Sequence, residues 1–219
     1  MSRLLISLCA LLLSVSASAQ SLFQEGTHYT TLRQAQPTST GDKVEVLEIF
    51  SYTCIHCFHL AAPLARWDAE KPKDADLRYI HVAWPGAIQY ARGFFALEAM
   101  GELKKAHQPL FESIFVGNKQ YKTLEEIGDF VATLGIDRAK FIATANSFSV
   151  NTRLKQAEQA MTRYEVEGTP TVIVAGKYKV QFGQAVPMPK VGEVVNFLIE
   201  KERAARRTSQ VGTPAPARG

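Results

Sequence analysis

The sequence predicts an α/β fold that carries a helical insertion. Two β-branched and apolar runs, residues 43–51 and 77–84, flank a segment with helical spacing, so the pattern opens as strand, helix, strand. Residues 85–165 keep a helical period, and residues 169–182 return to a strand-like pattern. An amphipathic helix over 189–205 completes a βαβ … ββα order, in which the first two strands pair in parallel.

The junction between the first strand and the first helix is the best-defined part of this pattern. The strand reads KVEVLEIFS (43–51), and the segment CIHCFHLAAPLARWDAE places Leu60, Leu64 and Trp67 on one helical face. Pro63 predicts a kink in this helix, because a proline removes one backbone donor and crowds the preceding turn. We therefore expect the strand to give way to the helix at Cys54.

Helical segments fill the insertion. Residues 88–101 and 103–116 both have helical spacing, although Pro109 predicts a break in the second of them. Asp137 and Ser149 are the residue types that begin helices, and they predict two more helices ending near residues 146 and 164.

The segment 123–135 reads as a complete helix. Thr123 and Glu126 have the spacing of a capping box, in which each side chain accepts from the other residue's backbone N–H. Gly135 stands where the helix should stop. The apolar stripe between these signals consists of Leu124, Ile127, Val131 and Leu134.

The last part of the chain predicts a hairpin, a helix and a tail. Residues 169–182 form two short strands joined at Gly176 and Lys177, and the helix 189–205 follows. Residues 206–219 are small, polar and proline-containing, and we expect them to be disordered.

The first nineteen residues have the layout of a secretory signal peptide. Arg3 precedes an apolar run, and small residues at Ala17 and Ala19 predict cleavage after Ala19. The alternative, a membrane anchor, is disfavoured because the run is shorter than the roughly 20 residues that a span needs. We expect a soluble exported protein.

Composition excludes few functions. A chain of 219 residues with 46% apolar and 21% charged residues is globular. Its net charge of +4 is too small and too scattered to indicate a nucleic-acid partner. The densest basic stretch, residues 201–207, also contains Glu202 and is typical of a solvated helix end rather than of a contact with an anionic surface.

Cleavage after Ala19 would remove Cys9 and leave two cysteines, Cys54 and Cys57. A disulfide between them would close almost no loop, so a purely structural bond is disfavoured. A zinc or copper site is a second alternative, but the sequence has no second Cys-x-x-Cys, and His81 and His107 have no ligand spacing. The pair is therefore best interpreted as chemical.

The position of Cys54 explains what this chemistry would be. The first backbone N–H groups of a helix are unpaired and its dipole is positive there, so a thiolate at Cys54 is stabilised. Cys57 lies one turn later on the same face, within disulfide reach and more shielded. His56 can favour the thiolate further by charge or by a hydrogen bond, or it is an exposed spacer. His59 does not return to the same face, and we expect it to have a surface or packing role.

Glu48 is the next candidate. It shares one face of the first strand with Val44, Val46 and Phe50, where a carboxylate is costly unless it is neutral or functional. We interpret it as a buried proton acceptor for Cys57, with a pKa raised by desolvation. The alternative is a carboxylate on an edge strand that faces solvent.

Two motifs together resemble the DsbA family. VLEIFSYTCIHC is similar to the strand and active helix of these exported thiol:disulfide oxidoreductases, and VEGTPTVIV (166–174) is similar to the loop that faces their dithiol. The resemblance implies a thioredoxin-like fold with an inserted helical domain. Residues 20–84 and 166–205 would form the thioredoxin-like domain, and residues 85–165 would form the insertion.

The resemblance also implies a substrate-binding role for Thr169 and Pro170. The matching proline is cis in that family, which frees the backbone of the preceding residue to pair with an extended substrate. Without the resemblance, Thr169 and Pro170 would be interpreted as an ordinary loop before a strand.

The implied function is a periplasmic dithiol oxidase that needs no cofactor besides the Cys54–Cys57 disulfide. Its partners would be reduced or unfolded exported proteins and a quinone-linked membrane oxidase of the DsbB type. Two departures favour a rival: Ile55 precedes His56 where the best-known members have proline, and Thr169 resembles the isomerases of the wider fold. The alternatives are thus an isomerase or reductase with the same residues, a metal- or peptide-binding module, and a relative of the glutathione transferases.

Overall fold

The computed structural model describes residues 22–211. The predicted signal peptide, residues 1–19, and residues 212–219 of the predicted tail lie outside this range. Within the described range, no helix combines the length and the apolar character that a membrane span requires.

One sheet of five strands organises the fold. The strands are β1 (Tyr29–Thr31), β2 (Val44–Phe50), β3 (Ala75–His81), β4 (Thr171–Val174) and β5 (Tyr178–Val180). Their order in the sheet is β1-β5-β4-β2-β3. Strands β2 and β3 are parallel, as the strand–helix–strand pattern predicts, and the other neighbouring pairs are antiparallel.

Seven α-helices surround or extend this sheet among the described residues. They are α1 (Ile55–Glu70), α2 (Ile88–Met100), α3 (Leu103–Phe115), α4 (Leu124–Thr133), α5 (Arg138–Ala145), α6 (Phe148–Arg163) and α7 (Val191–Val211). Helix α1 connects the parallel strands, α2 to α6 lie between β3 and β4, and α7 follows the hairpin. This order confirms the predicted α/β fold with inserted helices.

Strand β2 lies inside the sheet between β4 and β3, and all seven of its residues are buried. Val44 and Val46 pack with apolar side chains of α1 and α7, whereas Leu47 and Ile49 pack on the opposite face against a cluster that includes Ala160 of α6. Phe50, at the end of β2, belongs to the core of the helical insertion. The end of β2 therefore lies where the sheet meets the inserted helices.

Three features of the helices match their signals. The capping box of Thr123 and Glu126 is present at the start of α4, and Gly135 adopts φ 73° just beyond its end. Asp137 caps α5 by accepting from the backbone N–H of Lys140. Each of these signals is local, so the sequence neighbours suffice to specify it.

Two predictions about the insertion are wrong. Pro109 lies inside α3 without ending it, because the neighbouring Leu110 and Phe111 are buried and their packing offsets the lost backbone hydrogen bond. The cap of α6 is Ser147 rather than Ser149: the Ser147 hydroxyl accepts from the backbone N–H of Val150, at 3.3 Å.

The ends of the chain also differ from the prediction. Helix α7 continues to Val211, so residues 206–211 of the predicted disordered tail are helical. Arg206 helps to hold this extension, because it donates to the carboxylate of Glu202 and to the backbone carbonyl of Asp42. Strand β3 occupies 75–81 instead of 77–84, and the short strand β1 has no counterpart among the predicted elements.

Candidate active site

Cys54 is the N-cap of α1. Strand β2 ends at Phe50, and a turn then brings the backbone N–H of Cys54 to the carbonyl of Ser51, at 3.1 Å. The Cys54 sulfur accepts from the backbone N–H of Cys57, at 3.4 Å, in the way that a serine or aspartate oxygen caps other helices. The sulfur thus lies at the positive end of the helix dipole.

Cys54 and Cys57 are free thiols in very different surroundings. Cys54 is partly exposed, whereas Cys57 is fully buried. The pKa of Cys54 is lowered to about 5, chiefly by a hydrogen bond from the Cys57 thiol. Partial burial of Cys54 opposes this shift. Hydrogen bonds from the Thr169 side chain and from the backbone of Cys57 and His56 lower the pKa further. Desolvation and the hydrogen bond to Cys54 raise the pKa of Cys57 far above its usual value. Cys54 can therefore attack or leave as a thiolate, whereas Cys57 stays protonated.

The residues between and after the cysteines are exposed. Ile55 is 41% exposed, and His56 and His59 also face solvent. The contribution of His56 to the lowered pKa of Cys54 comes from its backbone. The predicted effect of the His56 ring stays a prediction. The His59 ring lies 5.8 Å from that of Phe58 and 6.4 Å from that of His56, centroid to centroid.

Glu48 lies in the sheet beneath the dithiol. It is 1% exposed, and its Oε2 atom is buried with no hydrogen-bond partner among residues 22–211. Desolvation, and secondarily the negative charge of Cys54, raise the pKa of Glu48 to about 8. When Glu48 is ionised, its negative charge in turn raises the pKa of Cys57. The predicted burial of Glu48 is thus confirmed, and the carboxyl is neutral at pH 7.

The Thr169–Pro170 peptide lies on the other side of Cys54. The bond is cis, as the resemblance implies. Its position follows from the sheet: β4 begins at Thr171, which pairs with Ile49 near the end of β2. The Cys54 thiol donates to the carbonyl oxygen of Thr169, at 3.2 Å.

A groove of about 460 Å³ opens beside this contact. It brings His56 together with Thr169 and Pro170, and Phe182 also lines it. Of the predicted site residues, His56, Thr169 and Pro170 therefore line this groove, the partly exposed Cys54 contacts Thr169, and Cys57 is buried. Glu48 lies behind them in the interior.

A cluster that the sequence did not indicate lies behind the turn. Tyr52 is fully buried, its backbone N–H donates to His81, and its hydroxyl lies 2.9 Å from Nδ1 of His107. Burial lowers the pKa of His81 to about 3 and that of His107 to about 4, so both rings are neutral at pH 7. In the sequence, only the position of Tyr52 close to Cys54 hints at this cluster, because His81 and His107 come from distant elements.

Metal binding has no support in the described part of the chain. Among residues 22–211, no group of three or more His, Cys, Asp or Glu side chains is arranged to hold an ion.

Comparison with known sequences gives a consistent set of relatives. The sequence model of the DSBA-like thioredoxin domain matches residues 45–196. The thiol:disulfide interchange protein DsbA of Pseudomonas syringae is 34% identical over 214 residues, which cover 96% of this chain and 100% of the relative. The protein of the same name from Pseudomonas aeruginosa is 35% identical over 188 residues, covering 84% of this chain and 88% of the relative.

Solved structures show the same similarity in three dimensions. The crystal structure of Pseudomonas aeruginosa DsbA matches with a TM-score of 0.78 at 34% identity, covering 84% of this chain and 97% of that one. The crystal structure of the oxidoreductase DsbA from Xylella fastidiosa matches with a TM-score of 0.77 at 30% identity, covering 84% and 99%.

Proposed function

The chain belongs to the family of DSBA-like thioredoxin domains, and from that premise we propose that it introduces disulfide bonds into exported proteins by exchange at Cys54 and Cys57. The chain is a disulfide oxidoreductase. The observation that carries the proposal is the opposite acidity of the two thiols, which lie three residues apart at the start of α1. Stabilising the Cys54 thiolate stabilises the reduced form, and this makes the disulfide a strong oxidant.

The first step is attack on the exposed sulfur. A client thiolate bonds to Sγ of Cys54 and breaks the Cys54–Cys57 bond, so that the electron pair leaves on Cys57. Because the pKa of Cys57 is far above its usual value, this leaving thiolate takes up a proton. We assign Glu48 to supply it, because its pKa of about 8 favours the protonated carboxyl at pH 7. The role predicted from the sequence, proton acceptor for Cys57, would then belong to the reverse step, in which the dithiol is reoxidised and the Cys57 thiol gives up its proton.

The second step releases the client. A second client thiolate attacks the client sulfur of the mixed disulfide and displaces Cys54. Cys54 leaves readily because its thiolate is stabilised by the hydrogen bonds described above. Two electrons pass from the two client thiols to the enzyme, which ends as the dithiol, while the client gains one disulfide.

The client would lie along the groove at Thr169 and Pro170. His56 lines this groove, and Phe182 and Met188 contribute apolar surface to it. Such a surface suits an extended, unfolded chain with apolar side chains next to its cysteine.

Location and partner complete the proposal. Residues 1–19 would direct export, and the enzyme would work in the periplasm, where disulfides persist. The reduced enzyme must lose two electrons after each cycle. We assign that step to a quinone-linked membrane oxidase of the DsbB type, as the family resemblance implies.

The redox equilibrium with glutathione tests the proposal first. The fraction of purified protein with a Cys54–Cys57 disulfide would be measured by mass spectrometry after alkylation, over a range of glutathione ratios. We expect a potential well above that of glutathione. A value near that of thioredoxin would contradict the oxidase function and favour a reductase or isomerase.

Oxidation of a reduced, unfolded two-cysteine protein tests the residue roles. Cys54→Ser should abolish this oxidation, and so should Cys57→Ser, because neither variant can form the Cys54–Cys57 disulfide that takes up the two electrons. With a client that already carries a disulfide, Cys57→Ser should instead accumulate the mixed disulfide, because Cys54 attacks the client disulfide and no second enzyme thiol resolves the product. Retained activity in Cys54→Ser would reject the assignment. Efficient rescue of a protein with scrambled disulfides would instead identify an isomerase.

A further inference from the structure

The peptide group that joins Ser51 to Tyr52 lies between the dithiol and the sheet. Its carbonyl accepts from the backbone N–H of Cys54, at 3.1 Å. Its N–H donates to Nε2 of His81, at 3.0 Å. Both contacts belong to one rigid plane, so the ring of His81 fixes the orientation of the carbonyl that holds Cys54.

The ring of His81 is itself fixed. Its Nδ1–H donates to the carbonyl of Val82, at 2.7 Å, which leaves Nε2 as an acceptor. Both His81 and Tyr52 are completely buried. A buried, fully paired hydrogen-bond chain of this kind holds one geometry, because any rotation leaves a polar group unpaired.

The side chain of Tyr52 also fixes the turn, through contacts with the inserted helices. Its hydroxyl lies 2.9 Å from Nδ1 of His107, which is on α3. The Tyr52 ring packs edge-on against Phe50 and Phe111, with centroids 5.1 and 4.8 Å away. The turn is thus held from the sheet by His81 and from the insertion by His107.

We propose that Tyr52 is a positioning residue for the dithiol: its hydroxyl, bound to His107, and its backbone N–H, bound to His81, hold the turn 51–54 in the geometry that favours the Cys54 thiolate. The proposal deepens the proposed function and rests on it for the meaning of that thiolate. The ionisable groups that act on Tyr52 from the adjoining elements are Glu48 of β2 and Tyr79 of β3, besides the two histidines.

The substitution Tyr52→Phe tests this proposal, because it removes one hydroxyl and keeps the ring. We expect the pKa of Cys54, followed by thiolate absorbance against pH, to rise by about half a unit, and the glutathione equilibrium to shift about threefold toward the disulfide. The matched control is Tyr121→Phe, which removes a hydroxyl that donates to Ser113 on the same helix as His107. The control should leave both quantities unchanged.

A second pair of variants separates positioning from packing. His107→Gln keeps an acceptor for the Tyr52 hydroxyl and should retain the pKa of Cys54, whereas His107→Leu removes the acceptor and should behave like Tyr52→Phe. This pair decides the question if Tyr52→Phe does not fold.

One result would overturn the proposal. If Tyr52→Phe and His107→Leu lower only the free energy of unfolding, and their Cys54 pKa and glutathione equilibrium equal those of Tyr121→Phe, the cluster is structural. Failure of the proposed function is a separate result: the unmodified protein would then show a thioredoxin-like potential, while the comparison between variants would still be valid.

Discussion

Two of the three buried glutamates among residues 22–211 have opposite surroundings, Glu48 beneath the dithiol and Glu202 on α7. Both are almost fully buried, at 1% and 2% exposure. Glu202 receives hydrogen bonds on both oxygens from Lys177, and another from Arg206, at 2.8 to 3.0 Å. Glu48 has a buried oxygen without a partner among residues 22–211, and its pKa is raised to about 8.

The difference shows that burial alone does not make an acidic group chemically useful. Glu202 is surrounded by cations that compensate its charge, so it serves to join α7 to the hairpin turn. For Glu48, burial and the negative charge of Cys54 both favour the protonated form. A buried acid that keeps its proton near neutral pH has the property that proton transfer requires, and this is the role proposed above for Glu48.

Glu48→Gln should produce the largest change. Folding raises the pKa of Glu48 from 4.5 to about 8, so the folded protein binds the extra proton between these values and its free energy of unfolding falls as pH rises through them. Glutamine cannot titrate, and we expect the variant of the reduced protein to be more stable at pH 8 by about 4 kcal/mol. Urea unfolding at pH 5 and pH 8 would measure this.

Glu45→Gln is the matched control on the same strand. Glu45 accepts from the backbone N–H and the hydroxyl of Ser39, at 2.8 and 2.7 Å, so its replacement should lower stability. If Glu48→Gln also lowered stability at pH 8, Glu48 would be a compensated carboxylate like Glu202, and the contrast would fail.

Glu202→Gln should have the next largest effect, with the opposite sign. The substitution leaves Lys177 and Arg206 without their carboxylate, but both are partly exposed and can be hydrated. We expect a loss of about 2 kcal/mol in the free energy of unfolding and no change in the glutathione equilibrium. Glu193→Gln, in the first turn of the same helix, is a control for charge removal. A changed equilibrium in Glu202→Gln would show that this region also tunes the dithiol.

His107→Gln should have the smallest effect on the free energy of unfolding, and it extends the comparison of buried ionisable groups to acid pH. Burial lowers the pKa of His107 from 6.5 to about 4, so the unfolded chain takes up the proton first and stability is lost as pH falls from 6.5 toward 4. The variant should avoid about 1–2 kcal/mol of this loss at pH 5. Thermal unfolding between pH 4 and 7 would show it, with the exposed His59→Gln as a control. Equal acid sensitivity in the variant and the unmodified protein would contradict the neutral state of His107.

The sequence predicted those parts of the site that depend on neighbours along the chain. Cys54 and Cys57 follow a strand at helical spacing, and alternation along β2 predicted that Glu48 is buried. Both predictions use the periodicity within one helix or strand, and this can be recognised from the residues of that element alone. The proline loop was found through a resemblance, because its proximity to Cys54 depends on strand pairing between β2 and β4.

The parts that escaped prediction depend on distant contacts. His81 and His107 were weighed only as metal ligands, and nothing in their spacing shows that both rings meet Tyr52. Likewise β1 has three residues, too few for a period, and exists because it pairs with β5 about 150 positions later.

That late pairing has a consequence for how the chain is made. Residues 29–36 are held by β5 and by the turn before it: Leu32 and Gln36 donate to the carbonyls of Lys177 and Gly176. During synthesis these backbone groups lack their sheet partners until residues 176–180 have been made, because contacts of such sequence separation form late. The backbone pairing of residues 29–36 is therefore among the last parts of the fold that can form, since it needs residues 176–180.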